Sequence, residues 1–233
     1  MKNIFIILVF VFFILDKSNA QNFDTIFSKS RDVYMNLEQF SIKATYILYK
    51  DKSSQIKMDE QKTQLIKDRD SYYFKMGDAE MVYTPQFFIK VSHKEKMLLY
   101  SKLFGEENLT SSQIPLYILK NKYENKTVKN NNDNWECVMT GNNDISIPYQ
   151  KIVFYVSKDT YHITKQVYYF KSTMTKKYTG KNNSAERLEI INTKFDKKIG
   201  YTDDKFSLSK YLKRNENKFT TSKYTKDYKI IIQ

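Results

Sequence analysis

Phe40-Ser41-Ile42-Lys43-Ala44-Thr45-Tyr46-Ile47-Leu48 alternates Phe40, Ile42, Ala44, Tyr46 and Leu48 with Ser41, Lys43, Thr45 and Ile47. That period of two puts one set on each face of a β-strand and makes one face strongly apolar. Just upstream the period is helical. Phe23, Ile26, Phe27, Tyr34 and Leu37 predict an amphipathic first helix over 23–38, with Asn22 as its cap and Asp24 in its first turn. Downstream, Asp51-Lys52-Ser53-Ser54 reads as a turn and Gln55 to Lys67 as a returning antiparallel strand, so a meander begins here.

The meander continues through short runs at 72–76, 80–83, 87–92 and 97–100, joined by Gly77-Asp78 and His93-Lys94-Glu95-Lys96. Gln113 to Leu119, with Pro115 tolerated near the start, breaks the rhythm and predicts a compact apolar helix. Strands resume at 126–128, 135–140, 150–157, 163–170, 176–178, 186–195 and 206–208, separated by Asn- and Gly-rich turns. The pattern predicts an α+β fold, a strongly curved antiparallel sheet (an incomplete barrel of about 10–11 strands) covered by a few helices, because a flat open sheet of that size curls. A closed barrel is the second choice.

Lys2, an apolar run from Ile4 to Leu15 and Ser18-Asn19-Ala20 before Gln21 read as a secretory signal over 1–20, cleaved after Ala20. The run falls short of the roughly 20 residues a helix needs to cross hydrocarbon, so no stable transmembrane span is expected in the mature form. Residues 21–213 read as a single domain, and 214–233 as a basic, Tyr-rich C-terminal extension. Cys137 is the only cysteine, which excludes an internal disulfide. Its apolar surroundings, Trp135-Glu136-Cys137-Val138-Met139, favour a buried inert thiol. The formal charge of +13 is spread over most strands without a dense Lys/Arg block. Solvated strand faces explain it better than a nucleic-acid partner.

Catalytic signals are sparse. His93 and His162 fall in separate turns with no zinc spacing, and there is no phosphate loop or nucleophile elbow. No metal and no cofactor are therefore expected. Asp68, Asp70, Glu80, Asp159, Asp203 and Asp204 could supply a carboxylate pair for a hydrolase, but most sit at turns. The aromatic content says more. With 19 Tyr and 16 Phe, Phe74, Met76, Met81, Phe88, Met97, Leu99, Trp135, Met139, Phe154, Val167 and Tyr169 could line a large inner face. Met and aromatic side chains adapt to irregular apolar ligands such as acyl chains. A solid core under the helices would use the same residues.

The order of elements resembles the LolA-like family of periplasmic carriers of acylated lipoproteins. The resemblance rests on the helix at 23–38, the hairpins from Phe40 to Lys67 and the Ser111-Ser112-Gln113-Ile114-Pro115-Leu116 helix start. It also rests on Asn134-Trp135 with Val138-Met139-Thr140, the hairpin Ile152 to Phe170 and a late Phe206-Ser207-Leu208 strand. It implies an incomplete barrel under a helical lid, with lipid held in an apolar hollow. The family's Arg-Pro element, whose arginine tethers sheet to lid, is matched only by Arg69 before Asp70, and its Asp-Gly turn is replaced by Tyr83-Thr84-Pro85-Gln86.

The expectation is noncatalytic periplasmic binding or carriage of an acylated lipoprotein or other lipid-bearing cargo. Met81, Phe88, Leu99, Trp135, Met139 and Phe154 would form the concave face, Ile26, Phe27, Ile114 and Ile118 would face them from the helices, and Arg69 would be the lid tether. Envelope or membrane-associated donor and acceptor proteins would be the partners. An envelope protein-interaction or sensor module on the same scaffold is the alternative, using Tyr224, Tyr228 and Ile230 to Ile232.

Overall fold

The computed structural model describes residues 18–53, 55–103, 119–141, 143–144, 147–171, 186–200, 204–215 and 218–233. Helix α1 (Ser18–Met35) leads into strands β1 (Gln39–Tyr49), β2 (Lys57–Asp68), β3 (Ser71–Met76), β4 (Ala79–Tyr83), β5 (Phe87–Ser92) and β6 (Met97–Lys102). Then come β7 (Asn125–Asn131), β8 (Asn134–Thr140), β9 (Tyr149–Ser157), β10 (Ile163–Phe170) and β11 (Arg187–Asp196). The chain closes with a short helix α2 (Leu208–Tyr211), β12 (Leu212–Asn215), β13 (Lys218–Thr221) and β14 (Lys229–Ile232).

Twelve strands form one open sheet in the order β14-β6-β5-β4-β3-β2-β1-β11-β10-β9-β8-β7, and β12 and β13 pair separately. The class is α+β, and the sheet is open rather than a closed barrel. Sequence neighbours pair antiparallel through tight turns, while β14 joins β6 in parallel, Lys229 opposite Met97 and Ile232 opposite Tyr100. At the β3–β4 turn Gly77 has φ +52°, and a Cβ there would stand 2.7 Å from the Gln61 side-chain oxygen. A side chain would therefore meet both strain and crowding.

Contacts divide the chain into two compact units, the first comprising 1–36, 47–59 and 115–191 and the second 37–46, 60–114 and 192–233. Burial in β1 changes parity between its two halves. Phe40, Ile42 and Ala44 are buried in the second unit, whereas Ile47 and Tyr49 are buried in the first. The simple alternation placed Tyr46 and Leu48 on the buried face, and both are only half-buried.

The second unit is built around Val82, Ile89, Val91, Leu98 and Tyr100 from β4 to β6, closed by Tyr211 and Leu212, with Phe206, Phe219 and Ile230 packed against them. The boundary expected at residue 213 thus falls inside β12. The basic, Tyr-rich segment 214–233 supplies β13, β14 and core contacts, with Phe219, Tyr228 and Ile230 packed against this sheet face. Leu208 begins α2 instead of ending a strand, so no Phe206-Ser207-Leu208 strand forms. The expected strand at 176–178 and most of the helix at 111–121 lie outside the described residues.

A chain shortened after Leu212 loses β13 and β14 and uncovers this core. Such a truncation is expected to abolish cooperative unfolding of the second unit, read as loss of protected amides of β4 to β6 in hydrogen exchange. Leu212→Ala in the full chain should destabilise by about 2–5 kcal/mol.

Candidate functional site

In the first unit, α1 buries one stripe, Phe23, Ile26, Phe27, Ser30 and Tyr34, at the i, i+3, i+4, i+7 spacing of a single helix face. The helix reaches back to Ser18, so Asn22 lies within it rather than capping it. Its exposed face carries Asp24, whose carboxylate meets Lys120 Nζ at 2.6 Å, and the same ammonium stands 5.5 Å from the Phe27 ring. With Asp24 largely exposed, this pair contributes little beyond orientation.

The sheet face beneath is set by register. Trp135, Cys137 and Met139 of β8 stand opposite Val156, Phe154 and Ile152 of β9, and all six point to one side. Phe23 and Phe27 stack at 5.9 Å, and Phe154 meets them edge-on at 5.9 and 5.6 Å. Farther along, the Ile163 backbone N–H donates to the Tyr34 hydroxyl at 2.8 Å. Cys137 has no exposed surface, and burial, reinforced by Glu136, pushes its thiol up to about 12. It is therefore protonated at neutral pH and a poor nucleophile.

The structure brings Ile26, Phe27, Trp135, Met139 and Phe154 together in this seam. Met81, Phe88 and Leu99 lie in the second unit, where register puts Met81 beside Lys90 and Leu99, and Phe88 beside Tyr83. They are half-buried and share the face opposite Val82, Ile89 and Leu98. The fully buried face of that unit is the other one, because the C-terminal segment covers it. Val167 is buried, but in register with Val153 rather than Phe154, on the face away from α1. Arg69 is exposed in the β2–β3 turn with φ 51°. Its backbone N–H donates to the Glu38 carbonyl at 2.7 Å, and no side-chain tether to a lid is seen among the described residues. Ile114 and Ile118 lie outside the described residues.

Sequence reasoning missed the central polar cluster of the second unit. Glu80 is 1% exposed and shares the parity of Val82, the one signal that could have marked it as inward-facing. Tyr224 donates its hydroxyl to Glu80 Oε1 at 2.7 Å, and Tyr211 donates to Oε2 at 3.4 Å. His93 Nε2 and Lys75 Nζ reach Oε1 at 3.2 and 3.4 Å. The other histidine nitrogen, Nδ1, is 2.8 Å from the Tyr228 hydroxyl, so an Nε2–H tautomer lets the ring donate to Glu80 and accept from Tyr228. Lys210 Nζ stands over the Tyr224, Tyr211 and Tyr73 rings at 4.5, 4.9 and 5.8 Å.

Burial alone would raise the Glu80 pKa. Hydrogen bonds from Tyr224 and His93 and the charges of Lys210 and Lys75 outweigh it and hold the carboxyl below its ordinary value. Burial and the same carboxylate push the Tyr73, Tyr211 and Tyr224 hydroxyls up. The partners are tyrosine, histidine and lysine rather than a second carboxylate, so the geometry clamps the C-terminal segment to β4 instead of forming a hydrolytic pair. Among the described residues no three His, Cys, Asp or Glu side chains are placed to hold a metal ion, and no helix is long and apolar enough to cross a membrane.

No family model and no curated protein matches the sequence. Similar solved structures include an uncharacterized conserved protein from Thermus thermophilus (9% identical, covering 90% of this chain and 98% of that one, TM-score 0.47). Others are a LolA superfamily protein from Nitrosomonas europaea (12%, 79% and 97%, TM-score 0.34) and the Mycobacterium tuberculosis lipoprotein LppX (10%, 76% and 97%, TM-score 0.38). These likenesses concern fold and carry nothing about what the present chain binds.

Because the Glu80 pKa is lowered on folding, its contribution is fully present above the unfolded carboxyl pKa of about 4.3 and fades as pH falls through the folded value. Glu80→Gln is expected to destabilise by about 1.5–3 kcal/mol at pH 7, the range for a hydrogen bond to a charged group. The gap between parent and variant in urea unfolding should narrow progressively as pH is lowered below the ordinary carboxyl range.

Proposed function

We propose that this protein binds an acylated ligand, a lipoprotein or other lipid-bearing cargo, between α1 and the β8–β9 face, without covalent chemistry, as a periplasmic carrier. The observation that supports the reading is the makeup of the seam. Among the described residues one helix covers an apolar face that includes Trp135, Met139 and Phe154, whereas the second unit fills its buried face with its own C-terminal segment. Lifting one helix bares an apolar strip. Lifting the C-terminal segment would instead break the Glu80 clamp.

Magnitudes set the ligand's length. Separating Phe23, Ile26 and Phe27 from the sheet forfeits about 1.5–3 kcal/mol for each side chain, and an inserted acyl chain returns roughly 0.8 kcal/mol per CH₂. Six methylenes return about 5 kcal/mol, only the low end of a total loss of about 4.5–9, whereas twelve return about 10 and leave more to set against the entropy of association. The competing reading, a protein-interaction module on 224–232, has the hydroxyls of two of its residues already engaged within the chain, although Tyr224 remains 42% exposed. Tyr224 and Tyr228 spend their hydroxyls on Glu80 and His93, leaving Ile232 as the large exposed side chain of β14.

Native mass spectrometry of the protein taken from its own envelope, with lipid extraction alongside, tests the proposal. Retained long-chain acyl species, displaced by dodecanoate and not by hexanoate, are expected. Protein that carries no lipid and takes up neither fatty acid would overturn it.

A further inference from the structure

The apolar seam contains two buried polar atoms with no hydrogen-bond partner among the described residues. Ser30 is 3% exposed, and its hydroxyl has no hydrogen-bond partner among the described residues. The same is true of the buried indole nitrogen of Trp135. A buried, unpaired polar group costs about 1–3 kcal/mol, and such groups in native proteins are ordinarily satisfied by a partner, a water or a ligand.

Topology places the two on the same stretch of the seam. α1 packs across β7 and, through Phe27, against Phe154 of β9, so β8 and its inward side chains run beneath it. Trp135 is in register with Val156, and Val156 with Ile163. Tyr34 reaches the Ile163 N–H. Ser30 lies one turn beyond Phe27 and one before Tyr34 on the buried helix stripe, between the Phe27–Phe154 and Tyr34–Ile163 contacts.

Two cations flank this end. Lys158 Nζ stands 5.3 Å from the Trp135 ring, and Lys29 Nζ donates to the Tyr161 hydroxyl at 3.3 Å. The opposite end, around Phe23, Phe27 and Phe154, is aromatic. The two ends thus differ: the Phe27 end carries an ammonium already paired with a carboxylate, Lys120 with Asp24, while the Trp135 end carries Lys29 and Lys158 beside the two unpartnered polar atoms.

Indole N–H is a donor only, and a serine hydroxyl donates as readily as it accepts. An ammonium or another pure donor cannot satisfy that pair. A carbonyl or carboxylate oxygen can. We infer that Ser30 and Trp135 form an acceptor subsite for the carboxyl or ester end of an acyl chain, whose tail runs toward Phe23, Phe27 and Phe154. This rests on the acyl-binding reading above and adds orientation and headgroup chemistry to it. Free fatty acid and ester-linked acyl groups share the required oxygen.

Trp135 is the only tryptophan, so the indole N–H gives a single resonance in a ¹⁵N-labelled sample of the whole chain. Dodecanoate, methyl dodecanoate and dodecyltrimethylammonium have matched tails, and the last lacks any acceptor. The expected result is a saturable downfield shift of the indole N–H with one or both carbonyl compounds and a smaller displacement with the ammonium compound. A shift with dodecanoate alone assigns the subsite to free fatty acid, and a shift with the ester as well extends it to ester-linked chains. Ser30→Ala and Trp135→Phe should each weaken carbonyl-ligand binding about 5- to 10-fold, the range for one hydrogen bond, and leave dodecyltrimethylammonium binding within twofold.

Equal binding of all three compounds, unaffected by either substitution, would overturn the acceptor subsite while leaving acyl binding standing. Binding of none would overturn both. An indole resonance that stays fixed while dodecanoate saturates the protein would assign the two polar atoms to a buried water and likewise defeat the inference, even if the variants failed to fold.

Discussion

A sheet face as apolar as Met139, Ile152, Phe154 and Val156 has to be covered, and in the first unit the described cover is essentially one helix. The rest of the site follows from that constraint. The i, i+3, i+4, i+7 stripe of α1 exists to meet this face, its aromatic end fixes the helix against β9, and Tyr34 pins the other end at the start of β10. Dispersion and hydrophobic burial hold the middle. Neither is directional, and the proposed exchange of these contacts for those of an acyl chain relies on that.

The second unit solves the same problem in the opposite way. Its buried face is closed by the chain's own C-terminal segment and fixed by a buried carboxylate with tyrosine, histidine and lysine partners. Burying Glu80 is unfavourable unless every lone pair is engaged, so the cluster selects one arrangement of 208–232 over the alternatives. Losing one partner would leave a charge stranded, a larger penalty than the clamp's net contribution. Among the described contacts, one unit's cover is thus held mainly by apolar packing and the other's by a buried polar cluster.

Much of this was legible in the sequence. The change from helical to strand period near Phe40, the short strands from Tyr72 to Tyr100 and the Trp135 to Phe170 hairpins all emerge from alternation, because half-buried strands write their faces directly into composition. Ile26, Phe27, Met139 and Phe154 were readable as one apolar set for the same reason. What escaped depended on long-range pairing. Nothing local to Lys229-Ile230-Ile231-Ile232 announces a parallel partner at Met97 to Tyr100, and nothing near Glu80 announces Tyr211 or Tyr224, more than a hundred residues away. The face assigned to Met81, Phe88 and Leu99 could not be ranked against Val82, Ile89 and Leu98 either. Both sets are apolar, and the segment that decides between them comes from the far end of the chain.

Intermolecular nuclear Overhauser contacts between ¹³C-labelled dodecanoate and the protein's methyl groups test acyl insertion between α1 and the sheet most directly. Contacts from the chain methylenes to Ile26, Met139 and Ile152, with loss of the Phe27–Phe154 contact at saturation, are the expected result. Contacts confined to exposed methyls such as Met35 or Ile232, with the Phe27–Phe154 contact intact, would contradict it.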